Sequence, residues 1–288
     1  MCCDGRVTDD HDPGRLRAVA ELLAEEATAF VRRRRAEVFG VGSYADAAAA
    51  TRTKSTPTDP VTIVDTETER LLRDRLAELR PGDPIVGEEE GGSAVGHPGK
   101  PTWVLDPIDG TVNFVYGIEA YAVSIGVQVD GQSVAGAVAN VSTGEIFSAA
   151  RGAGSYVRRD GASTRLRCNP VDDVSMALVG TGFGYAPERR LLQAEVLARL
   201  IPDVRDVRRI GSCALDLCMV AAGRLDAYYE LGVNVWDWAA GALIAEEAGA
   251  RLHLPPVEEA AGEASLIVAA APGIATEFDE ILRRAGAF

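Results

Sequence analysis

Lysine is almost missing from this chain. Lys54 and Lys100 are the only two in 288 residues, so positive charge is carried by arginine. Histidine is scarce as well, and His11, His97 and His253 stand too far apart in sequence to suggest a histidine base or a catalytic triad. The five cysteines (Cys2, Cys3, Cys168, Cys213, Cys218) are odd in number and include no Cys-x-x-Cys pair, which argues against a disulfide framework and against zinc. Cys213 and Cys218 read as packing residues. No apolar run approaches the roughly 18 residues that cross a bilayer, and the polar start has no signal-peptide core. A cytoplasmic protein without a membrane partner is therefore expected. Nucleic acid is not expected to bind directly, because a net charge of −14 repels phosphate backbones. The run Arg32 to Arg35 reads instead as a solvated helix face that complements the helix dipole. Nucleotide-loop signatures are missing too: Gly180-Thr181-Gly182-Phe183-Gly184 is followed by Tyr185 where a third glycine is required, and there is no Walker loop.

What is present centres on Trp103 to Phe114. An apolar run (Trp103, Val104, Leu105) reads as a buried strand, and Pro107 keeps Asp106 out of helical geometry. Asp106 and Asp109 are thereby placed on a turn at the strand end. Gly110 permits close backbone approach, and Gly110, Thr111 and Asn113 can open a helical turn whose N–H groups favour an anion. Acids beside an anion need a cation between them, and oxygen-only donors select a hard ion such as magnesium. Asp-Pro and Asp-Gly are also ordinary turn dipeptides, and this stretch alone leaves both readings open.

The rest of the chain supplies further carboxylates at element ends. Residues 1–11 read as disordered. Asp12-Pro13 opens a long amphipathic helix reaching Gly40, and residues 40–53 read as a mobile loop. Val61, Ile63 and Val64 predict a short strand ended by Asp65, followed by a helix from Thr66 to Leu79 with Leu71, Leu72, Leu76 and Leu79 inward. Asp65 taken alone is equally a helix cap. Pro84 to Gly92 carries Glu88, Glu89 and Glu90 on a glycine-bounded loop, which alone reads as a solvated charge cluster. Three strands joined by tight turns (121–129, 133–140, 145–149) predict an antiparallel sheet. The polar stretch Arg158 to Asp173 is the expected boundary, giving an α+β half at 12–165 and an α/β half at 166–288. Ser212 can cap a helix running to Ala222, a strand at 227–229 presents Glu230, and Asp237 begins a helix.

Gly87-Glu88-Glu89, then Asp106-Pro107-Ile108-Asp109-Gly110-Thr111 with Asn113-Phe114, then Trp236-Asp237 with Ala239-Ala240-Gly241 together resemble the inositol monophosphatase family. The likeness runs from about Lys54 to Gly249 and is greatest to bacterial SuhB-type members of actinobacteria. It implies a mixed α/β fold, a layered α-β-α-β-α sandwich of the inositol monophosphatase and fructose-1,6-bisphosphatase type. It also implies a phosphomonoesterase acting on myo-inositol 1-phosphate. Two or three magnesium ions would be held by Glu88, Asp106, Asp109, Asp237 and the Ile108 carbonyl. Asp65 and Thr111, with Glu88, would serve catalysis by orienting the attacking water. Lys54, Gly110, Thr111, Gly211, Ser212, Cys213 and Glu230 would meet the substrate. A homodimer and lithium sensitivity are implied as well. Fructose 1,6-bisphosphate, histidinol phosphate or a nucleotide 3'-phosphate remain alternative substrates, and some SuhB-type relatives act through protein contacts in transcription or ribosomal RNA maturation.

Overall fold

A computed structural model describes residues 11–40, 51–53, 60–92, 98–255 and 265–288. Helix α1 (Pro13–Phe39) starts where the Asp12 carboxylate accepts the Arg15 amide at 3.0 Å and Pro13 supplies the first helical residue. Its stripe of Leu16, Ala20, Leu23, Ala24, Ala27 and Val31 is buried, each leucine contributing roughly 2 kcal/mol. The arginine run corrects the sequence expectation. Arg32 donates to the Val141 and Ser142 carbonyls, Arg34 to Glu67, and Arg35 to the Phe114 carbonyl while lying over the Phe114 ring. These side chains dock α1 onto the rest of the molecule, because partners distant in sequence occupy the face that its own helix leaves polar.

Strands β1 (Thr51–Thr53) and β2 (Pro60–Thr62) pair antiparallel, so the end of the expected 40–53 loop is strand; residues 41–50 lie outside the described residues. Helix α2 (Ile63–Leu79) begins three residues before the expected Thr66. Thr62 accepts the Val64 amide and Asp65 accepts the Thr62 amide at 2.9 Å, a capping box that overrides the β preference of Ile63 and Val64. Asp65 is thus in the first helical turn rather than at a strand end. Leu72 and Leu76 are buried as expected, whereas Leu79 faces solvent.

Strands β3 (Ile85–Gly87), β4 (Thr102–Asp109), β5 (Ala122–Val129), β6 (Gln132–Asn140), β7 (Ile146–Ala150), β8 (Ser155–Arg159) and β9 (Ala162–Arg165) form a seven-stranded sheet in chain order. Only β3 and β4 pair in parallel. The expected boundary stretch therefore contributes a strand and part of another, and β4 continues past Leu105 to Asp109 through a register shift between Asp106 and Asp109. The second sheet contains β10 (Leu178–Thr181), β11 (Asp206–Arg208), β12 (Ala227–Leu231), β13 (Arg251–His253) and β14 (Leu266–Ala270), ordered β11-β10-β12-β14-β13.

Helices complete the layers. α1 and α2 cover one face of the large sheet. α5 (Cys213–Ala221) and α6 (Val235–Glu247) fill the space between the sheets, following the short α3 (Thr111–Tyr116) and α4 (Pro187–Leu200) in the chain. α4 and α7 (Ala275–Ala285) pack on the far face of the small sheet. The order is the expected α-β-α-β-α sandwich. α6 lies unusually close to the large sheet: a Cβ at Gly126 would sit 2.8 Å from Ala239 Cβ, and one at Gly136 would sit 3.0 Å from Ala240 Cα. These glycines let the helix seat deeply, which fixes the position of its first turn and of Asp237. Among the described residues no helix is long and apolar enough to cross a membrane.

Candidate active site

The acids singled out in the sequence come from both sheets and meet where several helices begin. β3 ends at Gly87, and the Glu88 amide donates to the Leu105 carbonyl at 3.2 Å, laying the acidic loop along β4. The bulged end of β4 brings Asp106 and Asp109 to the same corner. α6 adds Asp237 from its first turn, where its carboxylate accepts the Asn234 amide at 2.6 Å. Asp106, Asp109 and Asp237 each place an oxygen within 4.8 Å of the others. Glu88 stands next to Asp106 on the same wall and acts on it by charge.

Three further observations define the corner. Asp106 Oδ1 accepts the Ile108 amide at 3.0 Å, whereas Asp106 Oδ2 is buried and has no hydrogen-bond donor among the described residues. Asp109 Oδ2 accepts from Ser212 Oγ and from the Ala214 amide at 2.7 Å, tying β4 to the start of α5. Gly110 has φ +92°, and a Cβ there would lie 2.9 Å from the Gly211 carbonyl, so the turn requires glycine on both counts. Asn113 binds the Ala120 and Ile210 carbonyls at 2.7 and 2.9 Å, holding the Gly211 loop against this turn.

Electrostatics bear the cost of this crowding. Burial, followed by the negative charges of Glu88, Asp109 and Asp237, raises the Asp106 pKa well above the usual carboxylate range. Burial and the charges of Asp109 and Glu88 do the same to Asp237. Asp109 is pushed up to about 7 by burial, against the lowering effect of its Ser212 and Ala214 hydrogen bonds. Asp65 is also pushed up to about 7 by burial, partly offset by Thr62. Its Oδ1 lies 3.2 Å from Thr111 Oγ1, which places it against the site.

A cavity of about 610 Å³ opens over these groups, lined by Glu88, Asp106, Ile108, Asp109, Gly110, Thr111, Gly211, Ser212, Cys213, Glu230 and Asp237. All the anticipated site residues therefore gather at one place except Lys54, which lies outside the described residues. A buried carboxylate oxygen with no donor, facing other carboxylates, fits a cation in place of missing protons, and the all-oxygen set suits a hard ion.

A profile of the inositol monophosphatase family matches residues 12–285. The chain belongs to that family. It is 64% identical over 278 residues to the inositol-1-monophosphatase SuhB of Mycobacterium tuberculosis, with 96% of each chain covered. The solved structure of M. tuberculosis SuhB superposes with a TM-score of 0.81 at 59% identity, covering 96% of this chain and 99% of that one. The Nus factor SuhB of Vibrio cholerae is 40% identical over 193 residues, 67% of this chain and 70% of that protein. Membership makes this protein a phosphatase, and the family's metal dependence agrees with the carboxylate cluster.

Sequence reasoning missed several residues of this inositol monophosphatase site. Arg189, Arg209 and Trp236 line the same cavity. More consequential is Glu69, fully buried on α2, whose carboxylate accepts the Glu89 and Glu90 amides at 2.7 and 3.0 Å and Arg73 Nε at 2.9 Å. Gly87 packs so tightly on it that a Cβ would lie 2.2 Å from Glu69 Oε1. The signal was available: Glu69 falls on the stripe shared by Leu72 and Leu76, where a charge needs partners. Glu69→Gln replaces one loop acceptor with an amide donor facing an N–H, so calorimetry should find divalent-cation affinity about tenfold weaker. Unchanged affinity would show that the loop holds Glu88 without this anchor.

Proposed function

We propose that this phosphatase hydrolyses myo-inositol 1-phosphate to myo-inositol and phosphate. In this reading Glu88, Asp106, Asp109, Asp237 and the Ile108 carbonyl hold two or three magnesium ions. The carrying observation is the donorless, buried Asp106 Oδ2 among converging carboxylates, under a cavity whose wall carries the separate carboxylate of Glu230. Bound magnesium supplies Lewis acidity that offsets phosphate charge and acidifies nearby water.

The chain's own groups orient and exchange protons. Thr111 Oγ1 is 3.0 Å from the Ile108 carbonyl and 3.2 Å from Asp65 Oδ1, so it gives its proton to one of them and keeps lone pairs to accept from the attacking water. Asp65 takes, through the Thr111 hydroxyl, the proton that water loses during attack on phosphorus. No side chain becomes phosphorylated. Gly110 and the Gly211 to Cys213 backbone border the substrate, and Glu230 accepts hydrogen bonds from the polyol hydroxyls. Lys54 is proposed to help close the site.

Steady-state kinetics with magnesium test the substrate. kcat/KM on inositol 1-phosphate is expected to exceed the values on fructose 1,6-bisphosphate, histidinol phosphate and nucleotide 3'-phosphates. Preference for one of those would retain the chemistry and replace the substrate. The same proposal includes a homodimer, lithium sensitivity, a cytoplasmic location and the division of the chain at 165/166. The Vibrio relative's designation as a Nus factor raises an added protein-binding role. Hydrolysis stands first because each anticipated carboxylate ligand is present and gathered.

A further inference from the structure

We propose that Tyr228 is a positioning residue for Glu230 and thereby sets the enzyme's preference for hydroxyl-rich phosphate esters over esters that lack hydroxyls. The inference rests on the reading of Glu230 as the group that meets substrate hydroxyls.

Tyr228 and Glu230 are two residues apart on β12, so their side chains leave the strand on the same face. Tyr228 is fully buried, and its hydroxyl donates to Glu230 Oε2 at 2.5 Å. A short hydrogen bond from a phenol to a carboxylate is roughly twice as strong as its neutral counterpart. From another direction Gly182 packs against the same carboxylate: a Cβ at this position would lie 1.9 Å from Oε2 and 2.3 Å from Oε1.

The phenol has one proton to give. The buried Cys213 thiol is a further neighbour of the phenol. A thiol is a weak acceptor whereas Glu230 is a strong one, so the phenolic proton is directed to the carboxylate. The phenolic hydrogen bond and the Gly182 backbone together fix Glu230 Oε2, leaving Oε1 as the oxygen available to a ligand in the cavity. A carboxylate held this way discriminates by geometry: hydroxyls at the right place are accepted, and an ester without them gains nothing from Glu230. Its orientation is set before substrate arrives.

The test compares Tyr228→Phe, Gly182→Ala and Glu230→Gln on inositol 1-phosphate and on p-nitrophenyl phosphate, which has no alcohol group. Tyr228→Phe should raise KM for inositol 1-phosphate about tenfold with kcat changed less than about threefold, and leave kinetics on p-nitrophenyl phosphate within about threefold. Gly182→Ala, which displaces the same carboxylate without touching the phenol, should reproduce this split even if removal of the buried hydroxyl impairs folding. A higher KM in Glu230→Gln alone, with Tyr228→Phe and Gly182→Ala at wild-type values, would overturn the positioning role while retaining Glu230 as the hydroxyl acceptor. Wild-type KM in all three would overturn the reading of Glu230 itself. Equal losses on both esters would mark Tyr228 as a packing residue and also overturn the inference.

Discussion

Asp106→Asn is expected to lower phosphate release by about two to three orders of magnitude at saturating magnesium while the chain remains folded. The two oxygens of Asp106 do different things. Oδ1 accepts the Ile108 amide, and an asparagine oxygen can keep that bond; Oδ2 is buried with no donor and faces other acids. The substitution turns this second position into an N–H2 group that cannot ligate a cation and removes one negative charge from the cluster. Several kcal/mol of Lewis-acid stabilisation are at stake, and each 1.36 kcal/mol corresponds to about tenfold in rate. Stability should change in the opposite direction. Without metal, Asp106 is disfavoured as an anion by burial and then by Glu88, Asp109 and Asp237. In EDTA at pH 8, Asp106→Asn should therefore melt above the wild type. Near-normal turnover in the variant would refute Asp106 as a central ligand.

The second large effect is a fall in the stability of the metal-free protein as pH rises from about 5 to 8. Asp65 and Asp109 have folded pKa values of about 7 against a reference of 3.8, both chiefly through burial. A raised folded value means that the native state binds the proton more tightly than the unfolded chain does. The associated stabilisation is complete below the unfolded pKa and is lost as pH climbs through the folded value. Asp106 and Asp237 shift in the same direction. Groups with the opposite sign act elsewhere: Arg224 lowers the Glu145 pKa through a hydrogen bond, so that contribution is lost only in acid below the ordinary carboxylate range. For a chain of this size about 1 kcal/mol moves Tm by roughly 2–4 °C, and the expected fall in EDTA is about 5 °C or more. Magnesium should raise Tm more at pH 8 than at pH 5, because the cation replaces protons that the cluster holds only at low pH. A metal-free Tm that stays level or climbs over this range would contradict the predicted cost of the carboxylate cluster.

The acidic loop shows how far local patterns reach. Glu88 was recognisable from Gly87-Glu88-Glu89, yet Glu69, which holds that loop by two amides, belongs to a helix outside the motif. Asp65 was placed at a strand end, because apolar β-branched residues precede it and the competing capping box depends on one hydroxyl, that of Thr62. Arg32 to Arg35 looked like a solvent face because their acceptors, Val141, Ser142, Glu67 and Phe114, lie far along the chain. Strand β9 was missed for a related reason: all its residues are exposed, so it lacks the apolar alternation by which a strand is recognised.

Whereas the layered architecture was implied by the family resemblance, the residues alone pointed to oxygen donors without histidine or clustered cysteine and set most helix limits, including the Asp12-Pro13 start and the Ser212 cap. Those features depend on neighbours a few positions away, where side-chain type and spacing carry the information. Tertiary structure alone decided that Asp237 joins Asp106 and Asp109 within 4.8 Å, that Asp106 keeps an oxygen without a donor, and that Tyr228 and Gly182 pin Glu230. Charge coupling and desolvation depend on distance through a low-dielectric interior, and only the closed fold sets that distance.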